Sequence, residues 1–347
     1  MGTLEQKIVN EYRSLRDVYV CLDDVVSTIL EESIKSHNLF VFGVSHRVKS
    51  VESLDEKLGK KRGKYAGLSD VTDLVGFRVV TFFIDTIDEI MDFLPEIFDI
   101  DEENTVDKRK LLTATEFGYV SVHYICYLKE QTLEQYPQLR GIRFEIQLRS
   151  ALQHAWAEIE HDLGYKSEFG IPIPLRREFS RIAGLLEIAD NQFIELREGI
   201  LKYSSQVKDK ISNNEAGEIT LDRVSLKEFV LLNKSFNQVK DEISKRTNVE
   251  IQFIDPVNYL EKLALLNIKN LGDMAELVEN NSENAIRECV ATLEEMELDI
   301  TTTNMILRYL CKAEIKRMHY PEIFIRRYIA TSVADPVLVE KYLQKYI

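Results

Sequence analysis

The sequence predicts an α+β protein, with a mixed α and β domain over residues 1–211 and a mainly helical domain over 218–347. Three observations carry this. Strand-type runs at 74–83, 119–128 and 143–149 are interleaved with helix-type segments. In Phe144-Glu-Ile-Gln-Leu-Arg149 apolar and polar residues alternate strictly, the pattern of a half-buried strand. Beyond Ser212-Asn-Asn-Glu-Ala-Gly217, which has the composition of a linker, nearly every segment carries helical periodicity.

In chain order, residues 4–36 read as one helix, because Ile8, Tyr12, Leu15, Val18, Leu22, Val26, Ile29 and Leu30 recur at three-to-four spacing. Asn38 to Phe42 is a short strand-like run. Ser50 or Ser53 opens the next helix, and Glu56 three residues after Ser53 fits a capping box. After the strand at 74–83 come a helix from Thr86 to Phe98 and a polar loop over 101–116. Ser150 to Tyr165 is a helix following the 143–149 strand, Pro172 and Pro174 break the chain, and a long helix covers 175–212. Beyond the linker, 224–246 is helical and 249–254 a strand, and Leu263 to Val278 reads as two short helices joined at a polar turn.

Lys and Arg number 44 against 58 Asp and Glu, a net charge of −14 that excludes general electrostatic adhesion to nucleic acid or anionic membrane. Cys21, Cys126, Cys289 and Cys311 are scattered without zinc spacing and read as reduced residues of a cytoplasmic protein. No apolar run reaches membrane-spanning length.

Asp73, in Asp73-Leu-Val-Gly-Phe-Arg-Val-Val80, and Glu145 each sit among apolar residues. A carboxylate there is costly unless paired or metal-bound. Two such acids on neighbouring strands, with basic residues elsewhere, suggest a Mg²⁺ site handling phosphates; the alternative is that each simply ends a strand or pairs with Arg78 or Arg149. Arg47 and Lys49 share one face of an extended segment, and Lys57, Lys60, Lys61 and Lys64 one face of a helix; converging cations grip polyphosphates. Tyr119, Ser121 and His123 share a strand face, where a ring can stack on a base. Glu145, Gln147 and Arg149 form the polar face of the next strand. Gln153, Trp156 and Glu160 lie along one side of the helix that follows.

Together these pieces resemble the synthetase domain of the RelA/SpoT-homologue alarmone synthetases. The matching segments are Arg47-Val-Lys49-Ser50 with Lys57, Asp73 to Arg78, Gly118-Tyr119-Val-Ser121-Val-His123, Glu145 to Arg149, and Trp156-Ala-Glu-Ile-Glu160-His161 with Tyr165-Lys166. The resemblance implies a nucleotidyltransferase-like mixed sheet flanked by helices, moving the β,γ-pyrophosphate of ATP to a ribose 3′-hydroxyl. It implies Asp73 and Glu145 as catalytic Mg²⁺ ligands, with Glu145 also helping to activate the hydroxyl. Arg47, Lys49, Lys57 and Arg78 would bind ATP; Tyr119, His123, Gln147 and Arg149 would bind the acceptor. The chain departs from the family where Leu111-Leu-Thr-Ala-Thr-Glu-Phe117 replaces a segment that helps bind the guanine nucleotide, with Lys108, Arg109 and Lys110 offered as substitute charge. Its appended helical region is similar to that of the toxic small alarmone synthetases.

Three readings follow. The first is a pyrophosphokinase acting on GDP or GTP; the second is a toxin or phage-defence enzyme acting on the tRNA 3′ end, with Lys57–Lys64 and Arg176/Arg177 as its contact patch. The third is a catalytically inactive nucleotide-binding sensor, against which the intact Asp73/Glu145 pair argues. Residues 218–347 are expected to regulate, with room for a protein partner and for homo-oligomers, and with no membrane contact.

Overall fold

The structure is a computed structural model describing residues 4–111, 121–165, 173–296, 298–333, 335–344 and 346. The chain divides into two compact units, Met1–Leu196 and Arg197–Ile347.

The first unit opens with two helices, α1 (Leu4–Ser14) and α2 (Arg16–Ser36), where the periodicity predicted one. The apolar stripe runs through both, so periodicity alone does not show the break at Leu15, whose φ of −101° and ψ of 8° leave the helical region. Strand β1 (Val41–Val48) follows, displaced from the predicted 38–42. Asn38 takes a left-handed φ of 54° and ends the helix instead. The remaining elements are α3 (Val51–Lys60), β2 (Val75–Thr81), α4 (Asp85–Ile97), β3 (Phe98–Ile100), β4 (Val106–Asp107), β5 (Val122–Leu128), the short α5 (Glu130–Leu133), β6 (Phe144–Ser150), α6 (Ala151–Tyr165) and α7 (Ile173–Ser212). The predicted 101–116 loop holds β4 and a 3₁₀ turn at Lys108–Leu111.

The sheet order is β1-β2-β6-β5-β3, with β4 also on β5. It is mixed: β2 and β6 run parallel and the other pairs antiparallel. Alternation sorts its faces. Phe77, Val79, Phe144, Ile146 and Leu148 point into one core with Leu22, Val26 and Leu30 of α2 and Ile87, Ile90 and Leu94 of α4. The residues between them on each strand are polar and line the opposite face. Register then sets a row, Ser45–Arg78–Gln147–His123, across β1, β2, β6 and β5. Trp156 of α6 is buried, its ring centroid 4.2 Å from that of Phe179 of α7 with the planes tilted at 42°, so it belongs to packing.

The second unit is mainly helical. It holds α8 (Arg223–Leu232), α9 (Lys234–Thr247), β7 (Glu250–Gln252), α10 (Leu260–Leu265), α11 (Leu271–Met296), β8 (Ile300–Thr302), α12 (Thr303–Arg317), α13 (Glu322–Ala330) and α14 (Pro336–Leu343). The predicted 224–246 helix is divided at Asn233, whose side chain caps α9 by accepting from the Phe236 amide. The second of the two predicted short helices near 263–278 is α11, 26 residues long. Among the described residues, no helix is long and apolar enough to cross a membrane.

Candidate active site

Asp73 lies in the turn that leads into β2, two residues before the strand begins. Its carboxylate takes Lys57 Nζ at 2.6 Å and Lys49 Nζ at 3.2 Å. Burial pushes this carboxyl up, but the two ammonium groups outweigh it and hold it below the ordinary carboxylate value. Two elements deliver the lysines. Ser50 caps α3 by accepting from the Ser53 amide, which orients the helix that carries Lys57. The Tyr12 hydroxyl donates to the Lys49 carbonyl at 2.6 Å, and the Arg16 guanidinium donates to it at 2.9 Å. Tyr12 and Arg16 are positioning residues that the sequence could not flag, because they look like an ordinary core tyrosine and a surface arginine.

Glu145, near the start of β6, is held on both oxygens. His123 Nδ1 lies 2.7 Å from Oε1, and Gln147 Nε2 donates to Oε2 at 2.9 Å. An ionised carboxylate only accepts, so Nδ1 carries the hydrogen, and in the neutral ring Nε2 accepts from the Ser121 hydroxyl at 2.7 Å. Burial raises the Glu145 carboxyl, yet the His123 and Gln147 contacts win and the net displacement is downward; the nearby Asp73 charge works against them. Both acids are therefore ionised at neutral pH and within electrostatic range of each other.

They line one cleft of ≈ 270 Å³ together with Ser45, Arg47, Arg78 and Gln147. Beside it, Arg78 donates to Glu158 at 2.8 Å, and His154 of α6 approaches the same carboxylate at 3.7 Å. Burial, with the like charge of Arg78, pushes the Arg149 guanidinium below its ordinary value. The Nε atoms of Arg78 and Arg149 are buried without a hydrogen-bond partner among the described residues. The two guanidiniums make this edge of the sheet face locally cationic.

The structure thus gathers Arg47, Lys49, Lys57, Asp73, Arg78, His123, Glu145, Gln147 and Arg149 about one polar sheet face. Neither acid pairs with the arginines considered as alternative partners: Asp73 is bound by lysines and Glu145 by His123 and Gln147. Tyr119 and the Gly118 beside it lie outside the described residues. Three expectations need correction. Lys61 and Lys64 do not extend the helical face of Lys57, because α3 ends at Lys60. Arg109 is not available as substitute charge for a nucleotide, since Asp107 and Asp88 hold it at 3.0 and 2.9 Å. Glu160 faces solvent, whereas Gln153 is buried and caps the start of α6 through the Ser150 amide.

Residues 46–169 match the family described as a region found in RelA / SpoT proteins. The GTP pyrophosphokinase YjbM of Bacillus subtilis is 29% identical over 155 residues, which is 44% of this chain and 71% of that protein. The GTP pyrophosphokinase YwaC of the same organism is 27% identical over 205 residues, 58% of this chain and 95% of that one. The crystal structure of small alarmone synthetase 2 from Bacillus subtilis is 23% identical, covers 55% of this chain and 99% of its own, and superposes with a TM-score of 0.46.

Proposed function

We propose that this chain, which carries a RelA/SpoT region at residues 46–169, is an ATP-dependent pyrophosphokinase that places the β,γ-pyrophosphate of ATP on the 3′-hydroxyl of a guanine nucleotide. The observation that carries the reading is the ionised pair Asp73 and Glu145 in one cleft, bordered by Lys49, Lys57, Arg47 and Arg78. The two relatives named above as GTP pyrophosphokinases support the choice of acceptor.

Pyrophosphoryl transfer asks a protein for alignment and charge stabilisation more than for covalent chemistry. Arg47, Lys49, Lys57 and Arg78 bind the donor phosphates. Glu145 accepts the proton of the attacking hydroxyl, and His123, fixed by Ser121, keeps its carboxylate aimed and ionised. Gln147 and Arg149 border the acceptor, and Tyr119 stacks on its base, as the resemblance implies. Two ionised carboxylates form a hard oxygen donor set suited to Mg²⁺, which Asp73 and Glu145 would hold. The ion, when bound, neutralises charge on the transferred group.

The acceptor is tested by incubating the protein with γ-³²P-ATP and, separately, GDP, GTP, AMP and bulk tRNA. Label on GDP or GTP supports the reading. Label on tRNA alone replaces it with transfer to the tRNA 3′ end, and a protein that binds ATP without labelling any acceptor is a nucleotide sensor.

A further inference from the structure

We propose that the second unit has a binding site of its own for a small phosphorylated aromatic ligand of the nucleoside-monophosphate class. Its cavity, ≈ 220 Å³, is walled by Tyr259, Tyr328, Tyr342 and Tyr346 and contains Lys262 and Arg308. All six residues belong to the 197–347 unit, so the site is separate from the cleft of the first unit.

The cations are held by rings rather than by acids. Lys262 Nζ stands 4.9 Å from the Tyr259 ring centroid and 5.5 Å from that of Tyr328, and Arg308 Cζ stands 5.8 Å from that of Tyr342. Arg308 also hydrogen-bonds the Tyr346 hydroxyl; among the described residues no carboxylate forms an ion pair with either cation, although the chain as a whole is strongly acidic. Burial pushes the Lys262 ammonium below its ordinary value, and the like charge of Arg308 adds to that. Two neighbouring cations left without an anion are a cost to the free protein that an anionic ligand removes.

The chemistry narrows the class. A phosphate monoester brings up to about two negative charges and three acceptor oxygens, matching one ammonium and one guanidinium better than a single carboxylate does. Tyr259, Tyr328 and Tyr346 are buried, and the partly exposed Tyr342 is the wall ring that can pack on a planar ligand ring. The volume lies below the several hundred Å³ usual for larger ligands, which favours a monophosphate over a polyphosphate or dinucleotide. The exposed Ser332 stands at the rim as a further hydroxyl partner.

The test is calorimetric titration of AMP into the full chain carrying R47A and R78A, which removes phosphate-gripping arginines from the first unit's cleft. One AMP should still bind per chain. Adding K262Q and R308Q should weaken it at least about tenfold, the loss expected for charge-assisted contacts. S332W, which blocks the rim without touching either charge, should weaken it as well and decides the matter if the charge variant does not fold. Phenyl phosphate should bind more tightly than inorganic phosphate. The proposal is overturned if the R47A/R78A protein binds no AMP, or if a folded K262Q/R308Q protein or S332W binds it unchanged. Equal affinity for phenyl phosphate and inorganic phosphate overturns the aromatic part.

Discussion

Glu145 is set by opposing forces. Burial favours its neutral form, while His123 and Gln147 favour the carboxylate, and the second influence prevails. H123F removes the stronger hydrogen bond and leaves the burial. The Glu145 titration midpoint, followed by carboxyl NMR, should therefore move upward; an unchanged midpoint would show that His123 does not set its ionisation. The sign for stability follows from the lowered values of Asp73 and Glu145: their contribution is present above the unfolded-state values and is lost as pH falls through the folded-state values. Thermal unfolding measured toward acid pH should show that loss, and H123F should flatten the part due to Glu145. At this scale the sequence made both acids visible, because each stands in an apolar run. It did not show their partners. Lys57 is 16 positions from Asp73, and His123 is 22 from Glu145, and such pairing depends on sheet register and helix placement.

At the scale of elements, α3 links local capping to the donor site. Ser50 caps it, and Lys57 projects from it to Asp73. S50A should cost about 1 kcal/mol, seen as a Tm lower by roughly 2–4 °C. It should also raise the KM for ATP more than that for the acceptor, and S50D should restore both. A Tm loss without any change in ATP KM would mean that the cap does not govern where Lys57 lies. The apolar run of β2 and the strictly alternating β6 were legible to within a residue or two. Strand β1 was not: its polar Ser45, His46 and Arg47 give no clean alternation, because His46 turns toward Asp23, 2.7 Å away, while Ser45 and Arg47 face the cleft. Phe40 just before it and Phe42 within it stay exposed against Phe82, so apolar character there does not mark the strand's buried part.

At the scale of the whole molecule, every residue assigned to pyrophosphoryl transfer precedes Leu196, and residues 197–347 close a core of their own. We propose that the second unit regulates rather than catalyses. A fragment ending at Leu196 should fold and bind ATP as the full chain does; a soluble, ATP-binding fragment inactive on every acceptor would place part of the acceptor site in the second unit. The division itself, inside α7, was hidden in the sequence because the helical pattern runs unbroken through it, whereas Ser212–Gly217 has the composition of a linker. If Asp73 and Glu145 act together on a transferred pyrophosphate, ³¹P NMR of ATP and GDP with the wild-type, D73N and E145Q proteins will show it. The wild type should form a 3′-pyrophosphate ester and release AMP in equal amounts, and each folded variant should fall below about one hundredth of that rate. Wild-type rates in both folded variants, or ATP consumption that yields inorganic phosphate and no ester, would contradict it.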